Sequence, residues 1–212
     1  MTVTQDGSMS SKEQMSNTDQ HYINQVIAGN THAFSVLVER YKDLVFTLAL
    51  RMLKNREEAE EVSQDTFIKV FKKLNSFKGD SKFSTWIYKV AYNACLDRLK
   101  TYKKEYNNVT IDEFNAHKVK TLENAFDTMV ENERAEAIQR CMELLPSEDS
   151  VLLTLFYFEE QSLEEIAGVM GITANNVKVK LFRSRKKLAT IFKENLESEI
   201  IESYEMPNKK VL

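Results

Sequence analysis

The sequence predicts an all-α protein of two helical domains joined by a linker, a reading carried by three observations. Apolar residues recur every three or four positions through most of the 212 residues, the period of a helix with one buried face. Only five Gly and two Pro interrupt the chain, too few for turn-rich sandwiches, barrels or a glycine cradle for nucleotides. The period then fails once internally, from Tyr102 to about Asp127, with helical pattern on both sides. The expected organisation is a disordered polar segment at 1–18, a helical bundle at 19–104, a linker at 105–130, a second helical domain at 131–193 and an acidic tail at 194–212. Each domain falls near the lower end of the size at which a chain buries its own core.

Taken in order, a short helix is expected near Tyr22–Ala28. The next places Phe34, Leu37, Val38, Tyr41, Leu44, Val45, Leu48 and Met52 on one face. Asn55 with Glu58 three residues later has the spacing of an N-cap with a reciprocating carboxylate, and opens a helix burying Ala59, Val62, Thr66, Val70, Phe71 and Leu74. After a break centred on Gly79-Asp80, Ser84 is expected to cap a helix whose inner face includes Trp86, Ile87, Val90, Ala91 and Ala94. In the second domain the pattern starts near Val130, pauses at Leu145-Pro146, where proline suits a helix start, and resumes through Val151, Leu152, Leu155 and Phe158.

The overall net charge of −3 conceals strong segregation. Thr66–Lys104 carries ten bases and two acids, and Ile166–Lys193 seven bases and no acid. Between them Glu131–Glu165 has ten acids and two bases, while Arg56–Asp65 has five acids and one base. Two basic patches flanked by acidic helices fit either two DNA-contacting surfaces or ordinary solvated helix faces.

The carboxy-terminal patch has more structure. Ser162-Leu163-Glu164-Glu165 has the spacing of a capping box, Gly171 suits a left-handed turn, and Thr173 can cap a second helix with Val177, Leu181, Ser184 and Leu188 inward. That helix turns Asn175, Asn176, Lys178, Val179, Phe182 and Arg183 outward, with Arg185, Lys186 and Lys187 further on. A short helix, a glycine turn and a basic second helix make a helix-turn-helix, whose second helix enters the major groove. Asn and Lys address base edges there, and the later bases suit phosphates. A helical hairpin with a solvated basic face is the competing explanation.

The other patch interleaves Phe77, Phe83, Trp86, Tyr88, Tyr92 and Tyr102 with Lys78, Lys82, Lys89, Arg98 and Lys100. Aromatic faces that stack on unpaired bases, beside cations that follow the backbone, are what single-stranded DNA binding uses. Aromatics at helical spacing equally suit a core, and Trp86 is expected to face inward.

The string from Phe77 through Gly79, Asp80 and Ser81 to Asn93 closely resembles the promoter-melting region of bacterial sigma factors of the extracytoplasmic-function group, within the sigma-70 superfamily. Ala59–Phe67 looks like that family's polymerase-binding helix, and Leu145-Pro146 with Ser162–Leu188 like its carboxy-terminal promoter-reading domain. The resemblance implies that Phe77, Lys78, Gly79, Asp80, Ser81 and Phe83 receive a base flipped from the minus-ten element, with Tyr88, Lys89, Tyr92 and Asn93 contacting the same element. It implies that Asn175, Asn176, Lys178, Val179, Phe182 and Arg183 meet the minus-thirty-five element. It further implies that Glu60, Glu61, Gln64, Asp65 and Phe67 engage the clamp helices of the largest subunit of core RNA polymerase, with the flap of the second-largest subunit as another partner. Many members have Ser where Val179 stands and a basic residue where Phe156 stands. Val179 suits a thymine methyl group better than a hydrogen bond, and Phe156 lacks the charge of a phosphate anchor.

The implied function is a sigma factor that joins core polymerase, directs it to promoters, and recognises and melts double-stranded promoter DNA, holding the opened single strand. Such proteins are commonly held inactive by an anti-sigma factor. The alternatives are a free-standing helix-turn-helix regulator and an adaptor that sequesters polymerase. No enzyme activity, cofactor or metal is expected: the three His are scattered, no Cys/His spacing suits zinc, and no phosphate loop appears. Cys95 and Cys141 are expected to be reduced core thiols. The longest apolar runs fall well short of a membrane span, so the expectation is a cytoplasmic chain without direct membrane insertion.

Overall fold

The computed structural model describes the backbone of residues 11–105 and 131–205, and side chains within 19–102 and 137–195. Among the described residues the chain is helical, with no strand, and it divides into two compact units, one made mainly of the chain up to Thr101 and the other mainly of the chain from Tyr102, with Gly168–Met170 grouped with the first. Of the expected linker, 105–130, Glu105 is the last residue of a helix, and residues 106–130 lie outside the described residues, as do 1–10 and 206–212.

In the amino-terminal unit, α1 spans Ser11–Ile27 and reaches into the segment expected to be disordered. Its first turn holds Lys12, Glu13, Gln14 and Met15, straight-chain residues that favour a helix even without an apolar period. Buried Asp19 fixes its last part by accepting hydrogen bonds from Arg40 and Tyr41 of α2, Ala33–Leu53. Leu37, Tyr41, Val45, Leu48 and Met52 form the buried stripe of α2, while Phe34, Val38 and Leu44 are only half-buried. Lys54 closes the helix in the left-handed conformation, φ 54°, its N–H donating to the Leu50 carbonyl at 2.8 Å.

Asn55 caps α3, Arg56–Lys73, accepting the Glu58 N–H at 3.0 Å. The Glu58 carboxylate takes the Arg98 guanidinium at 2.7 Å, so the expected reciprocal cap gives way to a tertiary ion pair. Ala59, Val62, Thr66, Val70 and Leu74 are buried as expected; Phe71 is not, and lies edge-on to Phe34 with centroids 5.0 Å apart. After a 3-10 turn at Leu74–Ser76, α4 runs over Phe83–Glu105. It begins a residue before Ser84, and the Lys82 carbonyl accepts the Trp86 N–H at 3.1 Å. Phe83 is drawn into the first turn because its ring is buried against Tyr41.

The carboxy-terminal unit comprises α5 (Glu131–Leu144), α6 (Ser147–Leu153), a π-helical turn at Thr154–Phe158, α7 (Leu163–Met170) and α8 (Ala174–Glu205). Pro146 stands at the N-cap of α6. The core joins Ala137, Cys141, Met142 and Leu145 to Val151, Leu152, Leu155, Ile166, Val177, Leu181, Ile191 and Phe192. The π turn explains one misplaced residue. Its wider turn, with the Glu159 N–H on the Thr154 carbonyl at 3.1 Å, advances the helix phase. Phe158, which the period placed with the core, is therefore 56% exposed. α8 continues beyond residue 193 into the acidic tail.

Candidate nucleic-acid and polymerase interfaces

The helix-turn-helix is built as its sequence predicts. The Ser162 side chain accepts the Glu165 N–H at 3.1 Å, and the Glu165 carboxylate accepts the Ser162 N–H at 2.8 Å, completing the capping box. Gly171 ends α7 at φ 69°, where an L side chain would be strained. Thr173 Oγ1 then accepts the Asn176 N–H at 3.2 Å and starts α8.

Helical phase sorts the charges of α8. On the edge facing α6, Lys180 binds Glu148 at 2.7 Å, Lys187 binds Asp149 at 2.7 Å, and the buried Ser184 hydroxyl donates to the same Asp149 carboxylate. These bonds hold α8 by its inner edge. On the outer face Asn175, Asn176, Lys178, Val179, Phe182 and Arg183 are all exposed, as expected. Among the described residues no carboxylate pairs with Lys178, Arg183, Arg185 or Lys186; Lys186 lies over the Phe182 ring at 4.7 Å. The outer face thus combines unneutralised cations with two exposed apolar side chains, and has no carboxylate of its own.

The aromatic–basic region of the amino-terminal unit is arranged differently. Phe77, Phe83 and Trp86 form one cluster: centroids are 5.3 Å apart for Phe77–Phe83, 5.4 Å for Phe77–Trp86 and 5.7 Å for the stacked Phe83–Trp86 pair. Trp86 and Phe77 are half-buried, so Trp86 is less enclosed than expected. Lys78, Gly79, Asp80 and Ser81 cross the exposed loop beside them, with Gly79 at φ 78°. Lys89 and Asn93, one turn apart on α4, are exposed.

Three expected contacts lie elsewhere. Tyr88 is 1% exposed, Tyr92 4% and Phe83 2%, all within the bundle core. Tyr88 and Tyr92 share the stripe that carries Cys95, the face α4 turns inward, so these rings form the wall behind the surface and do not line it. Spacing alone does not separate an inward aromatic from an outward one on a helix this rich in both.

On α3, Glu60, Glu61, Gln64 and Asp65 are exposed and Phe67 is half-buried. Arg98 of α4 donates to Glu61 at 3.0 Å as well as to Glu58, and this bond holds the Glu61 carboxyl below its ordinary pKa. Sequence reasoning missed Ile68 and Phe71, exposed by 51% and 41% on the turns after Gln64. Their signal was legible: four and seven residues beyond Gln64 keeps them on the face of Glu60 and Gln64. Among the described residues no group of three or more His, Cys, Asp or Glu is placed to hold a metal, and no helix is long and apolar enough to cross a membrane.

A two-unit helical protein ending in a helix-turn-helix is the class these observations define. Residues 37–105 match the Sigma-70 region 2 family and residues 135–188 the Sigma-70 region 4 family. The chain is 31% identical over 176 residues to the RNA polymerase sigma-H factor of Pseudomonas aeruginosa, covering 80% of this chain and 91% of that one. It is 32% identical to the ECF RNA polymerase sigma factor SigW of Bacillus subtilis, covering 78% and 92%. Among solved structures it resembles the sigma factor RpoE in complex with the anti-sigma factor NepR from Bartonella quintana, with TM-score 0.58, 18% identity and coverage of 76% and 96%. CnrH in complex with the cytosolic domain of CnrY gives TM-score 0.58 at 20% identity, covering 83% and 97%. The chain belongs to the extracytoplasmic-function sigma factors of the sigma-70 family.

Proposed function

We propose that this sigma factor divides promoter recognition between its units as the side chains are divided. The outer face of α8 reads the minus-thirty-five element in the major groove: Asn175, Asn176 and Lys178 address base edges, Val179 and Phe182 meet thymine methyl groups, and Arg183 follows a strand. In the amino-terminal unit, the loop 77–83 borders the pocket for a base flipped from the minus-ten element. Phe77 and Trp86 offer its accessible aromatic surface, Asn93 a base-edge partner and Lys89 a phosphate contact. The exposed face of α3, with Glu60, Glu61, Gln64, Asp65 and the edge of Phe67, docks on the clamp helices of core polymerase, and the carboxy-terminal unit meets the flap. An anti-sigma factor restrains the chain in the cytoplasm.

The observation that carries this reading is the sorting of charge on α8: its inner bases are neutralised by α6, while its outer bases are left open beside exposed Val179 and Phe182. The test is transcription by purified core polymerase on fragmented genomic DNA, with and without the chain, mapping transcript starts. Starts that appear only with the chain and share two spaced upstream elements are expected. Core binding without new starts would make it an adaptor, and no effect on polymerase would make it a free-standing regulator. In the same assay Asn93→Ala should leave the fold intact and relax base preference in the downstream element. Unchanged preference and open-complex lifetime would remove Asn93 from the site.

A further inference from the structure

The segment ahead of the helix-turn-helix carries an aromatic pair whose contacts run to α8. Phe156 and Tyr157 lie in the π turn with ring centroids 5.1 Å apart and planes at 84°. The Arg185 guanidinium stands over both, 5.4 Å from the Phe156 centroid and 5.3 Å from that of Tyr157. Tyr157 is 53% exposed, so the rings close only part of the surface around the cation. Arg185 falls seven residues after Lys178 and three after Phe182, which places it on the rim of the outer face of α8. Two nearly perpendicular rings attract the cation from two sides, and no carboxylate pairs with it among the described residues.

We propose that Phe156 and Tyr157 are positioning residues that hold Arg185 as a preset anchor for a backbone phosphate of duplex DNA, beside the bases met by Lys178. The inference rests on the reading of α8 as the duplex-facing helix. The π turn is part of the device, because its altered phase carries both rings out of the core and toward α8. A guanidinium oriented before contact loses less freedom on binding than a free one, and its fork presents two parallel donors to a phosphate. Phe156 thereby serves an electrostatic contact without a charge of its own.

The test measures holoenzyme binding to a duplex containing the upstream element, as a function of salt. Arg185→Ala should weaken binding roughly tenfold and lower the salt slope by about 0.9, one phosphate contact. Arg185→Lys should keep most of the slope yet lose about threefold in affinity, since an ammonium lacks the fork. Phe156→Leu with Tyr157→Leu should cost a similar factor beside Arg185, and nothing further beside Arg185→Ala; Tyr157→Phe, which keeps the ring, should bind as wild type. Thermal melts establish that each variant is folded. An unchanged slope and affinity in Arg185→Ala would overturn the anchor, and losses that add independently would overturn the positioning role. Lys178→Ala separates the two levels: if it weakens binding while Arg185→Ala does not, only this inference fails. If neither Lys178→Ala nor a scrambled upstream element matters, the duplex-reading role of α8 fails with it.

Discussion

The two units present their aromatic and basic residues in opposite ways. On α8, Val179 and Phe182 are 42% and 58% exposed, standing clear of a core closed beneath them by Val177, Leu181 and Ser184. In the amino-terminal unit Phe83, Tyr88 and Tyr92 are core residues, and around the loop 77–83 the accessible aromatic surface is that of half-buried Phe77 and Trp86. The difference suits the two tasks proposed for the units. A duplex is read by a convex helix whose side chains already point outward, so reading can be removed without disturbing the fold. A base taken out of the stack needs an enclosed, aromatic-walled place, and in the proposed minus-ten site the core rings Phe83, Tyr88 and Tyr92 would back such a place.

That contrast is broken most severely by matched substitutions. Phe83→Ala removes a ring packed against Tyr41, Phe77 and Trp86, and should destabilise the amino-terminal unit by about 3–5 kcal/mol. Phe182→Ala should leave stability within about 0.5 kcal/mol and weaken upstream recognition. Trp86 is the chain's single tryptophan and stacks on Phe83, so its fluorescence follows one unit alone during urea unfolding. An unshifted Trp86 transition in Phe83→Ala would show that the aromatic cluster is a surface feature and erase the distinction.

The same contrast explains what was legible in the sequence. The helix-turn-helix was readable to the individual cap, because Ser162, Glu165, Gly171 and Thr173 act locally and their spacing determines the bonds they make. The exposed polar positions Lys178 and Arg183 followed from helical phase, and Lys89 and Asn93 from the family resemblance. Tyr88 and Tyr92 did not: burial depends on which neighbouring helix covers a face, and that is tertiary information. Phe158 and the Arg185 cradle were hidden by the π turn, a change of period that no residue type announces. Glu58 looked like a cap partner until a guanidinium 40 residues away proved the stronger attraction, as a charge-assisted bond generally is.

A second comparison separates what holds α8 from what α8 reads. Asp149 joins α6 to α8 through Ser184 and Lys187. Asp149→Ala leaves the buried Ser184 hydroxyl with only the Lys180 carbonyl, and should cost about 1–3 kcal/mol, confined to the carboxy-terminal unit. Amide exchange along α8 should accelerate while the Trp86 transition stays in place. Slower or unaltered exchange would show that the inner edge of α8 is held by apolar packing alone.

The smallest expected effect is one of pH, and it falls on the amino-terminal unit. Burial pushes the Cys95 thiol from an ordinary 9.0 up to about 12. Between those values the unfolded chain releases this proton and the folded unit keeps it, so the unfolded state binds fewer protons and stability falls as pH rises. The contribution is fully present below pH 9.0 and is lost progressively toward pH 12, amounting to about 1 kcal/mol by pH 10. Burial and the Asp19 carboxylate raise the Tyr41 phenol from 10.0 in the same direction, and its loss sets in as pH approaches that value, about a unit later than that of the thiol. Between pH 9 and 10 the thiol is therefore the larger of the two contributions, and comparison with Cys95→Ala separates it from the phenol. Urea midpoints followed by Trp86 should decline across this interval in the wild type and stay flatter in Cys95→Ala. Parallel decline in both proteins would place the alkaline weakness elsewhere in the bundle, and would mean that Cys95 exchanges with solvent more readily than its packing against the α4 core allows.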